Sequence, residues 1–287
     1  MKFGIYCETF QSFVPGTTDC KQCFVFLFRW RFVVHGAIDG FSRLIVFLAA
    51  SDNNRQETVL SHFLSACNTY GLPSRIRVDD GGENNSVCSV IELLRGSDHH
   101  AAIRGSSVHN QRIERLWRDM WNGVTNVYYR LFYLLEDGNA LNCDNENHLW
   151  ALHYVFLPRI NSSLVNFINQ WNNHGIRTQH GHTPMQLYVS QALNMAYSGS
   201  TAIRDIFRVS NDGSADNAAI HRNVAVSDLL NVVPGQPNVL VPRVQCPLSD
   251  SQLVTLNTLV GAISSDADPL GVTAYLTTVA FIDADLP

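Results

Sequence analysis

The sequence predicts an α/β fold: a mixed sheet flanked by helices, with a C-terminal appendage. Three observations lead there. Asp39-Gly40 lies between two apolar, β-rich runs, which signals a hairpin. An amphipathic helical stretch is followed at once by a short apolar strand, which implies a parallel crossover. A long stripe from Ile113 to Leu131 recurs at helical spacing.

The elements follow in order. Residues 1–22 show no clear periodicity, and Val14-Pro15-Gly16 marks a loop. Cys23 to Phe28 is the densest apolar run and reads as a buried strand; no run reaches the roughly 18 residues that a bilayer requires. Phe32–Ile38 and Leu44–Ala50 are the hairpin strands. Leu60, Phe63, Leu64, Cys67 and Tyr70 form one helical face, which Gly71 and Pro73 end. Arg75–Val78 is the crossover strand, and it delivers Asp79 to the edge where open α/β sheets place their sites. Asp80-Gly81-Gly82 then makes a tight loop, Val87–Arg95 is helical and His99–Ile103 is a short strand.

Ser106 or Ser107 caps a long helix with the stripe Ile113, Leu116, Trp117, Met120, Val124, Val127 and Leu131. Glu114 lies one step off that stripe, at the margin between core and surface. A further helix runs from about Ile160 to His174, and another starts at Thr183-Pro184. Gly199 opens a linker, and the tail holds two short helices near Leu248–Val260 and Gly271–Ile282. The expected organisation is an N-terminal segment 1–28, a core 29–197, and a linker with an acidic tail 198–287 that makes few contacts with the core.

Composition narrows the function classes. The chain has 287 residues, 46% of them hydrophobic, which argues against wholesale disorder. No basic stretch precedes an apolar one at the N-terminus, so no signal peptide is expected. Seven scattered cysteines suit a reducing compartment, and a lone Cys20-x-x-Cys23 lacks the second pair that a structural zinc needs. The net charge of −5 sits in the tail: Met1–Ser198 holds 16 basic and 16 acidic residues, Gly199–Pro287 holds 4 and 9. Only two of the 20 basic residues are Lys, and arginine's planar fork suits phosphate.

Asp79, Glu114 and the basic face beside Glu114 carry the chemistry. Phosphodiester transfer needs divalent metal held by carboxylates on rigid elements. An Asp at a strand end and a Glu on a packed helix meet that need. Asp79 could equally close a strand as a turn residue. Glu114 could pair with Arg118 four residues on. Arg112, Arg115 and Arg118 could contact phosphates or form a solvated helix face. Trp117, Trp121 and Trp171 are expected in the core.

Val78-Asp79-Asp80-Gly81-Gly82-Glu83-Asn84 resembles the second acidic motif of retroviral-type integrase and DDE transposase catalytic cores. His109-Asn110-Gln111-Arg112-Ile113-Glu114-Arg115 resembles the third, with thirty-four residues between Asp79 and Glu114. Ile38-Asp39-Gly40-Phe41-Ser42-Arg43 matches that family's hairpin. Trp171-Asn172-Asn173-His174, Arg177-Thr178 and Thr183-Pro184-Met185-Gln186-Leu187 resemble its closing motif. The resemblance, over roughly Arg29 to Leu187, is to integrase-core proteins derived from mobile elements.

The resemblance implies a ribonuclease H-like sheet, Mg²⁺ or Mn²⁺ held by Asp79 and Glu114, DNA as partner, possible homo-oligomers and a nuclear location. The family's first catalytic Asp has no counterpart. Counting back from Asp39 lands on Gln22, and Asp39 itself belongs to the hairpin turn. The resemblance therefore implies a polynucleotidyl transferase impaired by the missing acid. The alternative is an inactive descendant that binds nucleic acid or protein.

Overall fold

The computed structural model describes residues 4–9, 29–78, 82–95, 101–105, 111–197, 241–264 and 266–285. Five strands form one mixed sheet in the order β3-β2-β1-β4-β5. They are β1 (Gly4–Thr9), β2 (Val33–Asp39), β3 (Ile45–Ser51), β4 (Arg75–Val78) and β5 (Ala102–Arg104). β1 runs antiparallel to β2 and parallel to β4; β2 and β3 are antiparallel, and β4 and β5 parallel. This is the ribonuclease H-like arrangement.

The centre of the sheet is the first correction to the sequence reading. Residues 1–22 looked aperiodic, yet Gly4–Thr9 is the middle strand. The run, Gly-Ile-Tyr-Cys-Glu-Thr, shows no clean apolar/polar alternation. The Cys23–Phe28 strand lies outside the described residues.

The hairpin forms as its sequence requires. Asp39 N–H donates to the Leu44 carbonyl at 2.8 Å, and Arg43 N–H donates to the Asp39 carbonyl at 3.0 Å. Arg43 adopts the left-handed region, with φ of 65°. The Asp39 carboxylate accepts from the backbone of Phe41 and Ser42 and from the Ser42 hydroxyl, at 3.2, 2.7 and 2.6 Å. Asp39 is thus the buried organiser of the turn, a common use of Asp.

Helices cover both faces of the sheet. On one face α1 (Gln56–Tyr70) and α2 (Asn85–Arg95) pack Leu60, Phe63, Val87 and Ile91 onto Ile76 and Val78. On the other, α3 (Gln111–Met120), α4 (Asn126–Asp137) and α5 (Glu146–Asn173) pack Ile113, Trp117, Phe132 and Phe156 onto Phe32, Val34 and Ile38. Each large apolar side chain buried this way contributes about 1.5–3 kcal/mol. A helix α6 (Pro184–Tyr197) begins at the Thr183-Pro184 signal, its first turn fixed by Thr183 and Gln186.

Two helical expectations are corrected. The long helix is interrupted by a π-helical turn, Trp121–Thr125, between α3 and α4. Such a turn admits an extra residue and shifts the helix phase. Val127, expected in the stripe, is 49% exposed as a result, and Tyr128 packs on the core instead. Helix α5 starts at Glu146 rather than near Ile160 and carries Pro158 inside it. Pro158 offers no N–H to the turn before it, a loss that usually ends a helix. The buried Leu149, Leu152, Val155 and Phe156 hold the first half in place across it.

The tail is corrected as well. Helices α7 (Asp250–Gly261) and α8 (Val272–Asp285) were expected to make few contacts. They are an addition to the sheet-and-helix core, but Leu256, Ala274, Tyr275 and Ile282 belong to its main apolar cluster. The Tyr275 hydroxyl donates to the Ala140 carbonyl at 3.1 Å. The linker from Gly199 lies outside the described residues. Among the described residues, no helix is long and apolar enough to cross a membrane.

Candidate active site

The C-terminal ends of β1, β3 and β4 point to one edge of the sheet, because these three strands run the same way. Asp39 closes β2 at the opposite edge, opposite Ile5. Asp79 follows Val78, the last residue of β4, and lies with Asp80 and Gly81 outside the described residues.

Glu114 is half-exposed on the first turn of α3. Its helix is held down by Trp117, one turn further on. A Cβ placed on Gly36 of β2 would come within 2.8 Å of the Trp117 ring and of Leu48. Glycine at position 36 therefore lets the helix lie close on the sheet. Among the described residues Glu114 has no hydrogen-bond or ion-pair partner; the pair on this helix is Arg115–Asp119, at 3.5 Å. The simple pairing of Glu114 with Arg118 is not formed.

Arg112, Arg115 and Arg118 are exposed along α3. Sequence reasoning missed their neighbour Arg43. Partial burial pushes the Arg43 pKa below its ordinary value, and the charges of Arg112 and Arg115 push it further the same way. Arginines from the hairpin and from α3 thus gather into one positive region. The Asp39 carboxyl is moved upward by burial; the Ser42 and Phe41 hydrogen bonds and the Arg112 charge counter this without cancelling it. The signal for Arg43 was its place in the hairpin motif, but only the fold brings it to α3.

A second missed group lies at the strand-end edge. The short 3-10 turn Gly82–Asn84 follows Asp79 to Gly81, and its Glu83 is 3% exposed. Among the described residues one Glu83 oxygen has no partner, and the other meets the Asn54 amide only at 3.5 Å. Beside it, Arg104 on β5 donates to the Asn85 side chain at 2.5 Å, and Ser86 donates to Gln56 at 2.7 Å. A buried carboxylate oxygen without a donor is costly unless a proton or cation meets it. Glu83 stands in the second acidic motif, where the sequence reading assigns it no role.

A metal would take hard oxygen donors here, and the carboxylates in the sequence fit Mg²⁺ or Mn²⁺. Among the described residues no group of three His, Cys, Asp or Glu is gathered to hold one.

A family model described as "Integrase core domain" matches residues 22–202. Comparison with curated proteins gives no match. Among solved structures, the integrase catalytic core domain of HTLV-2 in complex with magnesium is similar in its dimeric form, at 15% identity and a TM-score of 0.37, covering 64% of this chain and 94% of that one. Its trimeric form gives 16% identity, a TM-score of 0.36, and coverage of 64% and 95%.

Proposed function

This chain belongs to the integrase core domain family, and from that premise we propose a metal-dependent polynucleotidyl transferase of the DNA-integration class. Asp79 and Glu114 are its catalytic pair and hold Mg²⁺ or Mn²⁺. The observation that carries this reading is Glu114: a half-exposed carboxylate without a partner among the described residues, on a helix clamped to the sheet through Trp117 and Gly36. When bound, the metal supplies a lowered pKa for the attacking water or hydroxyl and stabilises the leaving oxygen. The residues of the chain hold the geometry. β4 and α3 are both packed elements, the kind of rigid support that metal-holding carboxylates need.

DNA is the proposed partner. Arg43, Arg112, Arg115 and Arg118 would contact phosphates beside the pair, fixing the position of the duplex without reading its bases. Homo-oligomers and a nuclear location belong to the same proposal.

A site resting on Asp79 and Glu114 alone would bind metal weakly and transfer strands slowly. One observation favours the second reading, a non-enzymatic descendant that binds nucleic acid: the family match begins at residue 22 and no Asp stands where the first acid is counted. A labelled DNA duplex with Mn²⁺ separates the two. Slow metal-dependent nicking or joining that Glu114→Gln abolishes supports the enzyme. Binding of the duplex with no metal-dependent product supports the second reading.

A further inference from the structure

We propose that His35 and His62 together form a two-histidine site for a closed-shell monovalent cation, Cu⁺, on the face of the sheet away from Glu114. The site is separate from the proposed function and does not depend on it. Its basis is a pair of buried ring nitrogens that nothing meets. Among the described residues, His35 Nδ1 and His62 Nε2 are both buried and both without a hydrogen-bond partner. Their rings stand 6.1 Å apart, centre to centre.

The strand and the helix bring the two rings together. Successive residues of a strand point to opposite faces of the sheet. Gly36 on β2 lies against Trp117 of α3. His35, one residue earlier, therefore faces the other way, where His62 of α1 meets it. The Phe47 ring, from β3, stacks on His62 at 5.9 Å and 22°. His35 is fully buried, while His62 is only partly so, which leaves an ion a way in from solvent.

The backbone sets the tautomer. The other His35 nitrogen, Nε2, lies 3.2 Å from the Asn53 carbonyl. A carbonyl only accepts, so Nε2 carries the proton and Nδ1 keeps a lone pair. Asn53 is itself fixed at the start of α1. Its side-chain oxygen accepts from the Arg55 N–H at 3.1 Å and from the Thr58 hydroxyl at 2.7 Å. A ring N–H held by a backbone carbonyl is the usual support of a metal-ligating histidine. Burial pushes both pKas down, His35 to about 4, and among the described residues no carboxylate acts on either ring to reverse this. Both imidazoles are therefore neutral near neutral pH, the form that binds metal.

The spacing selects the ion. With metal–nitrogen bonds of about 2.0 Å, a linear N–metal–N unit sets the imidazole centres about 6 Å apart, and a tetrahedral one about 5 Å. The observed 6.1 Å fits the linear unit. Linear two-coordinate binding is the habit of closed-shell monovalent ions, whereas Zn²⁺ takes four ligands. Among the described residues no third His, Cys, Asp or Glu joins the pair. A double charge buried among neutral ligands would also cost more than a single one.

The test is Cu⁺ binding to the full, reduced chain in competition with a coloured chelator, for the parent, His35→Gln and His62→Gln, with thermal melts to verify folding. The chain's seven cysteines also attract Cu⁺, so X-ray absorption reads the ligand atoms as well. At saturation the parent should hold one Cu⁺ more than either variant, and that ion should show two nitrogen neighbours in a linear arrangement. In each variant its affinity should fall by about tenfold or more, since even an outer partner of a ligand is worth that. His62→Gln, at the partly exposed position, decides the case if His35→Gln fails to fold. Equal Cu⁺ in the parent and folded His62→Gln overturns the proposal. So does a saturated parent whose copper is bound by sulfur alone, which needs no variant. Zn²⁺ held at these histidines more tightly than Cu⁺ overturns the choice of a monovalent ion.

Discussion

The side-chain amide of Asn172 pairs with both backbone groups of Ile45. Its oxygen accepts from the Ile45 N–H at 2.9 Å, and its NH₂ donates to the Ile45 carbonyl at 3.1 Å. Asn161 does the same for Ala50, at 2.9 and 3.0 Å. The two asparagines are eleven positions apart on α5, about 16 Å of helix. Ile45 and Ala50 are five apart on β3, also about 16 Å. Helix rise and strand rise thus match, and α5 closes the edge strand that would otherwise invite pairing with another chain.

We expect Asn172→Ala to leave two backbone groups of Ile45 unpaired. Each buried unsatisfied group costs about 1–3 kcal/mol. Denaturant unfolding should show a loss in that range, with aggregation through β3 as a second symptom. Unchanged stability would show that Asn172 does not close the edge.

Gly36→Ala should destabilise by about 1–3 kcal/mol, the usual range for overpacking. The new methyl would meet the Trp117 ring and Leu48, both at 2.8 Å. Because Trp117 sits one turn from Glu114, metal-dependent activity should fall with stability. A thermal melt and the duplex assay on one sample check both. A silent substitution would mean that α3 is free to lift from the sheet.

His35 should make stability depend on pH. It is buried, and burial pushes its pKa down to about 4, opposed in part by the hydrogen bond with the Asn53 carbonyl. The unfolded state, with an ordinary pKa near 6.5, binds the proton more readily. Stability from neutral His35 is therefore present above about pH 6.5 and lost as pH falls toward 4, up to about 3 kcal/mol. Unfolding free energies from pH 4 to 7 should rise with pH, and His35→Gln should flatten that rise. An equally steep rise in the variant would assign it elsewhere.

The tail should behave as part of the core. Tyr275 is fully buried, against Phe156. We expect Tyr275→Ala to cost about 3–5 kcal/mol, the range for losing a large aromatic. After proteolytic cleavage between residues 199 and 240, the C-terminal fragment should still co-elute with the rest. Separation of the fragments, with the core still folded, would restore the picture of a loosely attached tail.

The sequence revealed what depends on local pattern. Asp39-Gly40 named the hairpin, and the Gly71 and Pro73 stop followed by Arg75–Val78 named the crossover. Long-range contacts hid the rest. Gly4–Thr9 is a strand because β2 and β4 flank it, not through any alternation of its own. Leu149 to Phe156 keep α5 helical across Pro158, where the local rule stops the helix. The π-turn at Trp121–Thr125 cannot be read from spacing, so Val127 was misplaced while Leu131 was not. Near the candidate site, the place of Glu114 on a packed helix was legible because the apolar stripe beside it is local in sequence. Arg43 was not, because it meets α3 only through the folded sheet.

The most direct measurement is a Mn²⁺ titration of the full chain beside Asp79→Asn and Glu114→Gln. We expect the parent to bind Mn²⁺ and each folded variant to bind about tenfold or more weakly. A parent that binds no Mn²⁺, or folded variants that bind as tightly as the parent, would contradict the assignment of Asp79 and Glu114 as the metal-holding pair.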